Sequence, residues 1–234
     1  MAVIIYNAAK LKNVVGNSEP EQFPFGDDKS IADYAKDAVF ALANAGVVGG
    51  YEDGSIRPTN QATRAEVAVM VDKFIEAGFN YFDTAHGYID GKSEKAIRDC
   101  LSARYKREDY ILANKLSYWC FEKEEDILPL FESQLKLCGV DYFDFYLFHN
   151  LFARNAGWYM DDAKYGLYSY LKKQKELGRI KHLGVSCHCD LETLRAFLDT
   201  YGEDIEFVQI QLNWLDWDFQ DAKAKVELLN AYNI

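Results

Sequence analysis

Two features of this sequence predict an α/β fold with a parallel sheet for most of the chain. From Phe79 onward, short apolar runs alternate with segments of helical length and helical apolar spacing, the trace that a parallel sheet with crossover helices leaves in a sequence. Several of the apolar runs also end on an ionisable side chain: Asn80–Asp83 on a carboxylate, Tyr110–Lys115 on an ammonium and Phe143–His149 on an imidazole. Tyr88 follows Asp83 in a loop that also carries His86. Chemistry placed at the carboxyl ends of parallel strands is how α/β enzymes build a site, and in a barrel those ends share one mouth.

Each element has its own local justification. Ile31–Leu42 carries apolar residues at Ile31, Ala35, Ala38, Val39 and Leu42, a helical stripe that Gly46 can end in a left-handed cap. Gly49–Pro58 is a turn-rich loop centred on Asp53-Gly54. Thr63 with Glu66 forms a capping-box signature for a helix over Arg64–Ala77, whose stripe is Val67, Met70, Val71 and Phe74, with Gly78 beyond its end. Met1–Ile5 is an echo of Val67–Val71, as if the chain began within the last helix of an earlier repeat.

After the strand Asn80–Asp83, a helix is expected over Ser93–Arg104, burying Ile97, Cys100 and Leu101. Another is expected over Glu124–Cys138, burying Ile127, Leu128, Phe131 and Leu135, with Pro129 tolerable only in its first turn. A third, Tyr165–Leu177, presents Tyr168, Leu171 and Leu177 and is closed by Gly178. Strand His182–Ser186, an Asp190-capped helix with Leu194, Phe197 and Leu198, strand Phe207–Leu212 and a helix from about Phe219 complete the alternation. The leucine and aromatic stripes are core packing.

The chain has 234 residues, enough for one large domain or a medium domain with a small one. Its net charge of −11, with no basic stripe to offset it, argues against a nucleic-acid partner and against simple attraction to anionic lipid. The cysteines number five, odd and scattered, which is not a secreted disulfide framework. Cys187-His188-Cys189 lacks the second ligand pair that a structural zinc site needs, so no metal is expected. Met1–Tyr6 has no basic region before it, and its apolar run is interrupted by Asn7, Lys10 and Lys12, unlike a signal peptide. No apolar run reaches the ~20 residues of a membrane span. These features predict a cytoplasmic protein.

The segment Phe82-Asp83-Thr84-Ala85 with Gly87-Tyr88, then Asn114-Lys115, then Phe148-His149 resembles the aldo-keto reductases, over about residue 66 to the C-terminus. Singly, each residue has a plainer reading: Asp83 as a cap, Lys115 as a solvated strand end, His149 as a satisfied core histidine. In order, on consecutive strand ends, they resemble the family's catalytic tetrad. The resemblance implies an NADPH-dependent reduction of an aldehyde or ketone, with a small-molecule carbonyl substrate. The chemistry fits these residue types. Hydride addition leaves charge on oxygen, so a proton donor must stand there, and Tyr88 is that donor. Lys115 is expected to lower the phenol's pKa, Asp83 to hold the lysine charged, and His149 to orient the carbonyl. Ser186 and Gln209 match the family's serine and glutamine that hold the cofactor carboxamide, whereas the asparagine expected beside that serine is Cys187. A cap and an ordinary strand residue are the plainer readings of Ser186 and Gln209. Glu132–Asn150 looks like bacterial reductases that carry a C-terminal iron–sulfur segment, which is absent here.

The earlier part of the chain is similar to the S-layer homology (SLH) repeat. The residues carrying this are Phe25-Gly26-Asp27, Tyr34-Ala35, Ala38-Val39, Gly50–Gly54 with Pro58, and Thr63–Glu66. Such repeats resemble wall-anchoring modules for anionic cell-wall polysaccharide, which would place the protein at the cell surface. Arg64 is the implied anion contact, or else a solvated first-turn arginine. The expected organisation is an S-layer-like helical segment over 1–66 and, over 67–234, an incomplete (β/α)8 TIM barrel holding strands two to six of eight. As a truncated, chimeric chain it is expected to be a reductase by ancestry with weak or no activity. The alternatives are a wall-polysaccharide binding module or a non-functional fusion fragment.

Overall fold

The computed structural model describes residues 25–234 apart from 45, 47, 61, 213–215 and 220. Met1–Ile5, half of the internal repeat, lies outside the described residues, as does the start of the chain read for a signal peptide. The chain forms two compact units, Met1–Asn80 and Tyr81–Ile234.

In the first unit, a single 3-10 turn over Asp28–Ser30 leads to α1 (Asp33–Asn44), and a loop leads to α2 (Arg64–Glu76). Helix α1 starts later than its apolar stripe because Ile31 is extended and closes the 3-10 turn. Its side chain still joins Phe25, Val39 and Phe40 in a small core, with Ala35, Ala43 and Ile56 packed against it. The Asp27 carboxylate accepts the Ile56 and Arg57 amides, each at 2.8 Å, which ties the entry to α1 to the loop. Gly50 has φ +68, and a Cβ there would stand 2.6 Å from the Phe25 ring. The capping box forms: Thr63 N–H donates to Glu66 at 2.6 Å, and Glu66 N–H donates to Thr63 Oγ1 at 3.3 Å. Glu66 also accepts the Tyr51 hydroxyl, whose ring carries the Arg57 guanidinium 3.9 Å from its centroid.

The second unit is a curled half-barrel of five parallel strands in sequential order, with helices alternating between them. Its elements are β1 (Tyr81–Asp83), α3 (Ser93–Ile97, running on as a π turn over Arg98–Ser102), β2 (Ile111–Ser117), α4 (Ile127–Cys138) and β3 (Phe143–Leu151). Then come α5 (Ala156–Met160), α6 (Asp162–Tyr165), α7 (Leu167–Glu176), β4 (Ile180–Cys187), α8 (Leu191–Tyr201), β5 (Phe207–Ile210), α9 (Asp216–Phe219) and α10 (Ala222–Ala231). Within this sheet β1 and β5 are the edges.

Three expectations are corrected here. The helix read over Tyr165–Leu177 starts at Leu167, because Gly166 takes φ +62 and Tyr165 ends the helix before it. Leu128 and Leu177 are 49% and 59% exposed rather than core. The buried stripe of α4 runs through Ile127, Phe131, Leu135 and Cys138, and Leu128 lies one position, about 100°, off it. Strands β2, β3 and β4 extend past their expected ends, and that extra length carries Ser117, Asn150 and Cys187 toward one rim.

Candidate active site

The sheet register sets the site. Asp83 ends β1 opposite Ala113, so Lys115 lies two residues further along β2 on the same face. Its long stem lets Nζ reach back to donate to Asp83 Oδ1 and, at 3.0 Å, to the Thr84 carbonyl. Lys115 is 2% exposed. Burial pushes its ammonium below the ordinary lysine value, with the Asp83 charge and hydrogen bond opposing.

Tyr88 comes off the loop after β1 and lays its ring over this pair, with Lys115 Nζ 4.9 Å from the ring centroid. The cation therefore meets the π face. The phenol is pushed up by burial and by the Asp83 charge, which corrects the expectation that Lys115 brings it down. Burial is the larger cause, and the ammonium itself donates to Asp83 and Thr84.

His149 is buried on β3, across from Ser117 in the β2–β3 register. Ser117 Oγ lies 2.6 Å from its Nδ1. Burial, then the charges of Lys115 and His188, hold the imidazole down at about 3, so it is neutral. The Tyr88 ring meets it edge-on at 5.6 Å between centroids, and Trp119 lies against it at 5.0 Å. Its carbonyl is anchored 2.6 Å from the buried Tyr159 hydroxyl. The chain then bulges: the β3–β4 register slips between Phe148 and Leu151, and Asn150 takes φ +62.

Tyr88, Lys115, His149, Ser186 and Gln209 border a single cavity of about 210 Å³. Asp83 stands behind Lys115, and Gln209 pairs in register with Ser186. Arg64 opens α2 in the first unit. Asn150 and His188 border the same cavity and were missed by sequence reasoning. Asn150 N–H donates to Ser186 Oγ at 2.8 Å, while its own Oδ1 has no protein partner. The signal available in the sequence was adjacency to His149; the bulge that turns Asn150 toward the rim has no sequence mark beyond asparagine's tolerance of left-handed backbone.

A phenol, a buried ammonium–carboxylate pair and a neutral imidazole are groups suited to holding and protonating a developing oxyanion. The sequence model of the Aldo/keto reductase family matches residues 48–234. This chain belongs to the aldo-keto reductase family. The S-layer homology domain matches residues 24–68, overlapping the start of the reductase match. Among curated aldo-keto reductase relatives, methylglyoxal reductase DkgA of Escherichia coli O157:H7 is 31% identical over 178 residues, covering 74% of this chain and 60% of that protein. The crystal structure of an aldo/keto reductase from Brucella melitensis matches with TM-score 0.52 and 28% identity, over 64% of this chain and 55% of that one. An aldo-keto reductase of Klebsiella pneumoniae solved in complex with NADPH shares the fold at TM-score 0.53 and 23% identity, over 64% of this chain and 49% of that one. The chain thus spans about half to three-fifths of the length of the proteins it matches. Among the described residues, no helix is long and apolar enough to cross a membrane.

Proposed function

We propose that the second unit reduces an aldehyde or ketone with NADPH as hydride donor and Tyr88 as proton donor. The observation carrying this reading is the buried Lys115–Asp83 pair under the Tyr88 ring, beside a neutral His149, on the rim of one cavity. When bound, the nicotinamide supplies the hydride to the carbonyl carbon. His149, neutral, donates a ring N–H to the carbonyl oxygen and fixes its direction. Tyr88 releases its hydroxyl proton to that oxygen as negative charge develops, giving the alcohol. The resulting phenolate recovers a proton from water, because Tyr88 is 38% exposed. Asp83 keeps Lys115 charged against the cost of burial.

The cavity fits a carboxamide. Ser186 and Gln209, adjacent in register, present a hydroxyl and an amide to it, and the unpartnered Asn150 Oδ1 lies beside them. Cys187 is buried where the family resemblance expects an asparagine, and the Asn150 amide, which borders the same cavity, stands in for it. The test is NADPH oxidation with a panel of aldehydes and diketones. The Tyr88→Phe variant should lose at least 10²-fold in kcat, the usual range for a general acid; wild-type turnover in it would falsify the assignment.

A second reading is favoured by the S-layer homology match over 24–68: the first unit binds anionic wall polysaccharide through Arg64. Binding through one such repeat should be weak, since linked repeats gain by effective concentration. Co-sedimentation with purified wall polymer should fall in Arg64→Ala, and tight binding indifferent to that change would sink this reading.

A further inference from the structure

The loop that carries Tyr88 is bent against its own preferences. Ile89, Asp90 and Gly91 take φ +53, +54 and +74 in succession. Left-handed backbone is unfavourable for a β-branched residue such as Ile89 and persists only when the surroundings impose it. Ile89 is 64% exposed, so its own burial does not impose it. The restraints lie on either side: Thr84 Oγ1 is 2.8 Å from Ser93 Oγ, and Ser93 N–H donates to the Tyr88 carbonyl at 3.3 Å. A further tether is His86, whose Nδ1 lies 2.8 Å from Oε2 of Glu94 on α3.

Glu94 is fully buried, and its other oxygen accepts Asn114 Nδ2 at 2.9 Å. Asn114 Oδ1 in turn accepts the Lys115 N–H at 2.8 Å and Gln134 Nε2 at 3.1 Å. Gln134 Nε2 also donates to the Lys115 carbonyl at 3.0 Å. A buried polar chain therefore runs from the Tyr88 loop, through Glu94, to the backbone on both sides of Lys115. The two members of the proton-donating pair are joined beneath the sheet as well as across the cavity.

We propose that His86 and Glu94 are positioning residues whose contact clamps the Tyr88 loop to the strand that carries Lys115, and that the clamp loosens when His86 loses its charge. Its relevance to catalysis rests on the reading of Tyr88 as proton donor. The Glu94 hydrogen bond raises the imidazole against the opposing effect of burial. The other groups that feel the Glu94 charge are Cys120, Cys138 and Tyr146, all held above their ordinary values by burial. Of this set, His86 is the group that titrates near neutral pH.

Hydrogen exchange on the full chain, read by mass spectrometry and corrected for intrinsic rates, tests the clamp without requiring turnover. Protection in peptides covering 84–93 should fall severalfold as pH rises through the His86 titration, while β3 peptides covering 143–151 stay constant. His86→Asn places a non-titrating donor where Nδ1 stood, so it should keep the loop protected and flatten the pH profile. His86→Ala should lose loop protection at every pH. Should His86→Ala also expose β3, the His86→Asn profile decides. Loop protection in His86→Ala equal to wild type, or the same pH profile in wild type and His86→Asn, overturns the proposal. Because exchange reads the loop directly, an inactive chain with a working clamp, or an active one without it, is recognised as such.

Discussion

The stability of the second unit should peak near pH 6.5, with the two limbs of the peak set by different histidines. His149 is held at about 3 against an ordinary value of 6.5. Its folded value is depressed, so the unfolded chain binds the extra proton first, and stability present above 6.5 is lost as pH falls toward 3. A one-proton difference costs about 1.4 kcal/mol per pH unit, which integrates to about 2 kcal/mol between neutrality and pH 5. His86 has the opposite sign. Its folded value is raised from 6.5 by Glu94, so its contribution is complete below 6.5 and fades as pH rises through the folded value. Carboxylates held low against burial by hydrogen bonds, such as Asp144 through the Leu112 amide and Arg107 and Glu206 through Lys175, lose their contribution only as pH falls through their ordinary range near pH 4. The window from about pH 5 to 6.5 therefore isolates His149. Urea unfolding followed by circular dichroism at steps across about pH 5 to 8 would measure both limbs. His149→Asn should flatten the acid limb and leave the alkaline one. Stability that is flat or rising from pH 6.5 down to 5, or an acid limb unchanged in His149→Asn, refutes the buried neutral imidazole.

Lys115→Met strands the Asp83 carboxylate, whose side chain is 28% exposed. The expected loss is about 1–3 kcal/mol, less than the ~3–5 of a fully buried pair because Asp83 is partly solvated. The double variant with Asp83→Asn should recover part of it, and urea midpoints that do not separate the single from the double variant would count against the pairing. In the first unit, Gly50→Ala forces a side chain into left-handed backbone and against the Phe25 ring. It should destabilise that unit by about 2–4 kcal/mol, combining the cost of the conformation with that of overpacking. An unchanged thermal transition for the first unit would show the loop to be placed otherwise.

Much of this protein was legible from local sequence because the signals concerned are local. Helical and strand periodicities, the Thr63–Glu66 capping box and the Asp190 cap that accepts Thr193 N–H at 2.8 Å all depend on residues a few positions apart. The alternation of elements dictated a parallel sheet, and the ionisable strand ends marked Asp83, Lys115 and His149 before any contact was known. Tertiary structure decided what lay across the sheet. The stagger of β1 on β2 sends the Lys115 ammonium to Asp83 and Thr84, beneath the Tyr88 ring face, while burial and the Asp83 charge raise the phenol where sequence reasoning had it fall. The β3 bulge put Asn150 at the cavity, and Gly166 set the start of the helix Leu167–Glu176. The buried chain from His86 through Glu94 to Asn114 and Gln134 draws on a loop, two helices and a strand. Hydrogen bonds between elements distant in sequence leave no period in it, and only the packed fold brings their donors and acceptors within reach.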